Sequence, residues 1–178
     1  MKFNSIADIY AANDEIHEEL KTLVSAISDE AATARLDGEK WTIAQIVEHI
    51  AMVDDGGARI CSKLLGKLEV AAAASIAGSV TVSDNFLKHY STINQVKLLA
   101  PDRVQPSGTI SISQSIAQMD ENRARLGELQ PRFEASNSDA TFPHPYFGEL
   151  SAVEWLILVG GHKQRHANQI RQLLERLN

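Results

Sequence analysis

Cysteine is nearly absent from this chain. The single Cys61 cannot close an intramolecular disulfide, which excludes a disulfide framework and fits a reducing compartment. Basic excess is absent as well. Lys+Arg 17 minus Asp+Glu 23 gives a net charge of -6, with pI about 5.5, a poor electrostatic footprint for DNA or RNA. No apolar run reaches about 18 residues, so no transmembrane helix is expected. The N-terminal stretch MKFNSIADIYAANDEIHEEL carries Asp8, Asp14 and Glu15 where a signal peptide needs uninterrupted apolar residues. The expected address is therefore the cytoplasm, with neither nucleic acid nor membrane as partner. Strand signals are weak, and there is no internal repeat and no low-complexity tail.

The hydrophobic content of 44% and charged content of 22% are those of an ordinary globular protein. At 178 residues, against roughly 150 per domain, a single domain over 1–178 is expected. Such a chain can bury a substantial core without a staple.

The periodicity is helical. From Ser5 to about Ile27, apolar residues fall at Ile6, Ile9, Ile16, Leu20, Leu23, Val24 and Ile27, one stripe on a helix. Ser28-Asp29 opens a polar break and Asp37-Gly38 marks a turn. Thr42 is a good N-cap for a second helix with its stripe at Ile43, Ile46, Val47, Ile50, Val53, Ile60 and Leu64. Gly56-Gly57 within it predicts a kink or a close approach by another backbone, since two glycines cost about 2 kcal/mol against alanine. The weakly patterned segment 71–82 reads as a connection, helical in its first part.

A shorter helix is expected from Ser83 to about Leu99, followed by breaks at Pro101, Pro106 and Gly108. Another runs from about Ser113, and Pro131 is expected to kink or end it near Gln130. Residues 137–148, NSDATFPHPYFG, read as a loop. Ser151 and Glu154 form a capping box for the last helix, which runs towards Leu177. The sum is an all-α protein, a four-helix bundle with one longer crossover and short extra helices.

The last helix carries the most informative pattern. Its inner stripe reads Trp155, Val159, His162, His166, Ile170, Leu173 and Leu177. Two histidines replace apolar residues on a face directed into the bundle. At i and i+4 they stand one turn apart, about 5–6 Å between Cβ atoms, and two imidazoles so placed can grip one metal ion. Composition alone gives about 0.2 such pairs by chance, so the spacing is weak and the buried stripe is what strengthens it. The other reading is a pair hydrogen-bonded in a polar core patch or facing solvent.

A catalytic site needs a third ligand. His49 borders the apolar face of the second helix, three residues after Ile46, and is the best candidate by pattern. Equally, it reads as a half-exposed edge histidine. His17, beside Ile16, and His89, beside Phe86 and Tyr90, read first as edge histidines. His144, between two prolines, reads as a turn residue in a loop of the kind that lines sites. Cys61 follows Ile60 near an apolar face and reads as a packing residue.

The segment Trp41-Thr42-Ile43-Ala44-Gln45-Ile46-Val47-Glu48-His49-Ile50 resembles the second-helix motif of the DinB-like superfamily. The run His144 to Ser151 followed by Glu154-Trp155 resembles the approach to that family's last helix. His162-Lys163-Gln164-Arg165-His166 with Gln169-Ile170 resembles that helix's signature. The blocks match in order and spacing over essentially the whole chain, while 70–113 is not distinctive.

The resemblance implies a four-helix bundle in which three histidines, here His49, His162 and His166, bind a divalent metal, zinc or nickel. It also implies a homodimer, with Trp41 and Trp155 as packing anchors. Three neutral imidazoles would leave the ion's charge uncompensated, so a bound water would approach pKa about 7. Two activities follow for a small-molecule substrate: a metal-dependent hydrolase, or a thiol S-transferase using a low-molecular-weight thiol. A non-catalytic, stress-related binding protein is the alternative. Arg59, Lys63, Arg165 and Tyr146 are candidates for recognising the thiol. Each ligand should donate its second N–H to a partner, which the sequence leaves unassigned. Asp54, Asp55 and Glu154 could act behind the ligands, but read first as surface or helix-end charge. Glu48 should point away from His49, about 100° round the helix.

Overall fold

In the computed structural model four long helices carry the chain: α1 (Ile6–Ser25), α3 (Ile43–Gly66), α5 (Ile112–Ala135) and α6 (Ala152–Leu177). Shorter pieces join them: α2 (Asp29–Thr33), α4 (Asp84–Thr92), a 3₁₀ turn at Asp102–Val104, and an antiparallel hairpin of β1 (Thr141–His144) and β2 (Gly148–Ser151). The structure describes residues 3–66, 80–93, 96, 98–135 and 139–177. The expected connection over 71–82 therefore lies largely outside the described residues.

Local chemistry explains the helix starts. The Ser5 and Asp8 side chains cap α1 reciprocally, and Ser83 caps α4 by accepting from the Phe86 amide. Thr42 and Gln45 do the same for α3, the Thr42 hydroxyl accepting from the Gln45 amide and the Gln45 side chain from the Thr42 amide. Ser151 and Glu154 form the expected box at α6.

Three expectations need correction. Pro131 does not end α5 near Gln130, because the helix continues to Ala135. The lost N–H is outweighed by tertiary packing: Phe133 is buried, and Arg132 donates to the Leu65 carbonyl. The loop 137–148 contains a strand, since Thr141 to His144 pair with Gly148 to Ser151, Phe142 opposite Leu150. Gly148, at φ 74, closes the hairpin turn in a conformation that favours glycine. The short helix after Ser83 stops at Thr92 rather than near Leu99.

Helix α3 packs on both α5 and α6, and α1 packs on α6 and α5. Of the Gly56-Gly57 pair, Gly57 is closely approached, by a side chain rather than by the expected backbone. A Cβ there would lie 2.5 Å from the Val159 side chain, whereas Gly56 faces open space.

The apolar core falls into two clusters. One, at the hairpin end, gathers Ile6, Ile9, Cys61, Leu64, Phe86, Leu126, Trp155 and Leu156. The other gathers Leu20, Val24, Ile46, Ile50, Met119, Ala167, Ile170 and Leu173. Between them every long helix contributes a buried polar residue: His17 on α1, His49 and Asp54 on α3, Asn122 on α5, Lys163 and His166 on α6. In α1 this shifts the stripe by one position. His17, at 1% exposure, holds the inward place read for Ile16, which is only part-buried.

Candidate metal centre

The three expected histidines meet. His49 on α3 and His162 and His166 on α6 bring one ligand nitrogen each to within 4.8 Å of one another. The His49 and His162 Nε2 atoms are 3.2 Å apart. Two imidazole nitrogens on one tetrahedral zinc, at bond lengths near 2.05 Å, would stand about 3.3 Å apart. The rings pack edge to face, with centroids 5.1 Å apart for His49 and His162 and 4.5 Å for His162 and His166. His49 is 4% exposed and thus lies inside the bundle, not at its edge.

Hydrogen bonds fix which nitrogens remain free. The His49 Nδ1–H donates to the Val104 carbonyl at 2.7 Å, and the His166 Nδ1–H donates to the Gln169 side-chain oxygen at 2.8 Å. Both bonds leave Nε2 with its lone pair. The His162 Nδ1 is buried without a hydrogen-bond partner among the described residues, and its Nε2 faces the His49 Nε2, so without an ion the His162 Nε2–H donates to that lone pair and an ion would displace this proton to Nδ1. Burial pushes all three pKa values below the usual histidine value, that of His166 to about 4; Arg165 adds to the effect on each, and neighbouring imidazoles add to it at His162 and His166. The three rings are thus neutral at pH 7, each able to present a nitrogen lone pair, the protonation state a divalent ion requires.

Glu48 secures the His49 partner. Its side chain is buried. It accepts from the Ser107 amide and hydroxyl and from the Gly108 amide. Consecutive residues of α3 therefore clamp one segment, Glu48 at 107–108 and His49 at 104. Trp41 rests on the His49 ring, centroids 4.8 Å apart.

A small cavity of about 70 Å³ opens beside His162 between α3, α4, α6 and the hairpin. Its walls are largely apolar, including Tyr90, Leu98, Phe147, Trp155 and Leu158, and its other polar residues are His144 and Arg165. Arg165 is half-buried and donates to the Val96 carbonyl. The His144 Nδ1 accepts from the Tyr146 and Phe147 amides, so its neutral ring carries the proton on Nε2. Burial, with Arg103 nearby, pushes its pKa down to about 4. Gly161 admits this wall, because a Cβ there would meet the Tyr90 hydroxyl at 2.3 Å.

The remaining candidates fall elsewhere. Arg59 pairs with Asp55 on the surface, and Lys63 lies over the Phe142 ring. Tyr146 packs against His89, whose own Nδ1 meets the Asn85 carbonyl. Glu154 is buried and structural, its second oxygen accepting from the Ser83 amide and hydroxyl. Asp54 is buried against Lys163, which corrects its reading as solvated charge. Cys61 is fully buried and its thiol is pushed up to about 12, which suits packing and not nucleophilic attack. Trp155 is an anchor, donating its indole N–H to the Phe142 carbonyl. Among the ligand partners, Gln169 was within reach of pattern reading at i+3 from His166. Val104 lies 55 residues from His49 and carried no local signal.

Four helices around paired core clusters, with three inward histidines on the second and last long helices, define a bundle with a metal-type donor set. The family model for the DinB superfamily matches residues 12–170, and the chain belongs to that superfamily. It is 24% identical over 155 residues to the uncharacterized protein YuaE of Bacillus subtilis (strain 168), spanning 86% of this chain and 90% of that one. In fold it is similar to the crystal structure of TT2238, a four-helix bundle protein, with a TM-score of 0.63 and 21% identity. That match covers 94% of this chain and 99% of the other. Membership and the histidine cluster are together compatible with a metal-binding enzyme. No helix among the described residues is long and apolar enough to cross a membrane.

Proposed function

We propose that the protein is a metal-dependent hydrolase acting on a small molecule, with His49, His162 and His166 holding a divalent ion. The observation that carries the reading is the convergence of three neutral imidazoles beside a cavity. Zinc and nickel both suit such donors. Bound there, the ion supplies Lewis acidity and brings loss of a proton from water or a thiol into the neutral range.

The chain's own residues supply the rest. Val104 and Gln169 orient two of the ligands. The apolar wall of Tyr90, Phe147, Trp155 and Leu158 excludes bulk water and strengthens every charge interaction inside. The His144 Nε2–H offers a hydrogen bond to a substrate oxygen, and the Arg165 guanidinium receives an anionic group on the substrate. Arg165 also favours a second reading, a thiol S-transferase, because a half-buried guanidinium at the cavity suits a carboxylate-bearing thiol.

The test begins with metal content by mass spectrometry of untagged protein, run beside His49→Ala and His162→Ala. About one equivalent of zinc or nickel, lost in both variants, supports the triad. A chain that holds neither metal even when it is added defeats the reading. Loaded protein is then assayed for aryl-ester hydrolysis and for conjugation of an anionic thiol to an electrophile. Hydrolysis alone supports the first reading, and conjugation alone supports the second.

A further inference from the structure

A second and larger cavity, about 460 Å³, opens on the opposite side of the α3–α6 pair from the histidines, between α1, α5 and α6. Val159 is common to both cavities. The volume is that of a small-molecule site. Its floor is a chain of polar groups that the proposed chemistry does not use. Asp54 and Lys163, both buried, form an ion pair at 2.9 Å. The Lys163 Nζ lies 3.3 Å from the His17 Nδ1, and the His17 Nε2 lies 2.6 Å from an Asp120 oxygen. Lys21 then binds both Asp120 oxygens at the half-exposed rim.

One acceptor in this floor is unfilled. The second carboxylate oxygen of Asp54, Oδ1, is buried and has no partner among the described residues. Asp54 is 2% exposed; burial pushes its carboxyl up while the Lys163 ammonium beside it opposes the rise, and a buried carboxylate oxygen without a donor is a costly arrangement. Above the floor the wall is apolar, with Leu126, Leu156 and Val159 buried and the Tyr10 hydroxyl already spent on the Leu126 carbonyl.

Charge then selects the ligand. The lining holds three carboxylates, Asp14, Asp54 and Asp120, against two cations, Arg123 and Lys163, with His17 kept neutral chiefly by burial. Glu18 and Lys21, one of each sign, leave that balance unchanged. One net negative charge opposes an anion. A cation drawn to Asp54 would meet the Lys163 ammonium on the same carboxylate. A neutral donor meets neither penalty. We propose that this cavity is a second ligand site, separate from the histidine centre, for a small uncharged molecule with an apolar body and one N–H or O–H donor directed at Asp54.

Three nearly isosteric probes test it: benzyl alcohol, benzylammonium and benzoate, each titrated while backbone amide shifts are followed by NMR. Benzyl alcohol should shift Leu126, Leu156 and Val159 with Kd of about 1 mM, the other two binding at least about tenfold more weakly. Gly127→Trp should abolish those shifts with the fold intact. Gly127 lines the cavity, and a Cβ there meets nothing within 4 Å. His162→Ala, which removes a histidine of the other site, should leave them unchanged. Absence of shifts at these residues, their survival in Gly127→Trp, or tighter binding of either charged probe would overturn the proposal.

Discussion

The two sides of the α3–α6 pair handle buried polarity in opposite ways. On one side three imidazoles stand together, neutral, with no carboxylate among the described cavity residues. On the other side Asp54, Lys163, His17 and Asp120 answer one another in sequence and tie all four long helices together. The first arrangement is under-compensated and suits a guest cation. The second is nearly self-sufficient and serves the bundle before it serves a ligand. Adjacent residues take part in each, since His162 faces one side and Lys163 the other.

The sharpest way to break the contrast is Lys163→Met. It strands the buried Asp54 carboxylate and should destabilise the fold by about 3–5 kcal/mol in urea denaturation. Replacing both partners, Lys163→Met with Asp54→Leu, should recover most of that loss. A double variant as unstable as the single one would show that the pair contributes more than mutual compensation.

On the histidine side, loss of a ligand should act on metal and not on fold. His162→Ala should weaken zinc binding by more than about 100-fold in chelator competition, beyond the usual effect of groups behind the ligands. Glu48→Gln removes charge from the clamp that positions Val104 and should weaken zinc by about tenfold. An unchanged affinity there would mean that the 104–108 segment holds without Glu48.

Acid should expose the same asymmetry. Buried His166 and His144 have pKa values near 4, below the unfolded value of 6.5. Between those values the unfolded chain binds more protons than the folded one. Metal-free stability should therefore level off near pH 7 and fall as pH drops from about 6.5 towards 4, by up to about 1.4 kcal/mol per pH unit for each histidine. Thermal melts across that range would measure it, and His166→Gln should flatten the slope. The smallest effect expected is that of Asp55→Ala, below about 1 kcal/mol, because its Arg59 and Arg125 partners are solvent-exposed.

Much of the histidine side was legible in the sequence because its signals are local. His162 and His166 interrupt a periodic stripe on one helix, and Thr42, Ser83 and Ser151 mark helix starts by capping. The opposite side was not legible. Lys163 gives no sign of its buried role until Asp54 and His17 arrive from two other helices, and Asp54 reads as solvated for the same reason. The hairpin was obscured by its four-residue strands and by Pro143, and the passage of α5 through Pro131 depends on contacts of Phe133 and Arg132 that only the tertiary fold provides.

Val159 lines both cavities, seated where Gly57 has no side chain. The wall they share is therefore open to change by one substitution. Trimming Val159 to alanine removes two methyl groups from a shared wall while sparing every histidine and every charged residue described above. A lineage carrying this scaffold could in that way enlarge the compartment beside its centre gradually, admitting longer molecules without rebuilding the helices that hold it. Substrate range and bundle integrity would then drift independently, and related bundles would be expected to differ most at this position and at the glycine opposite.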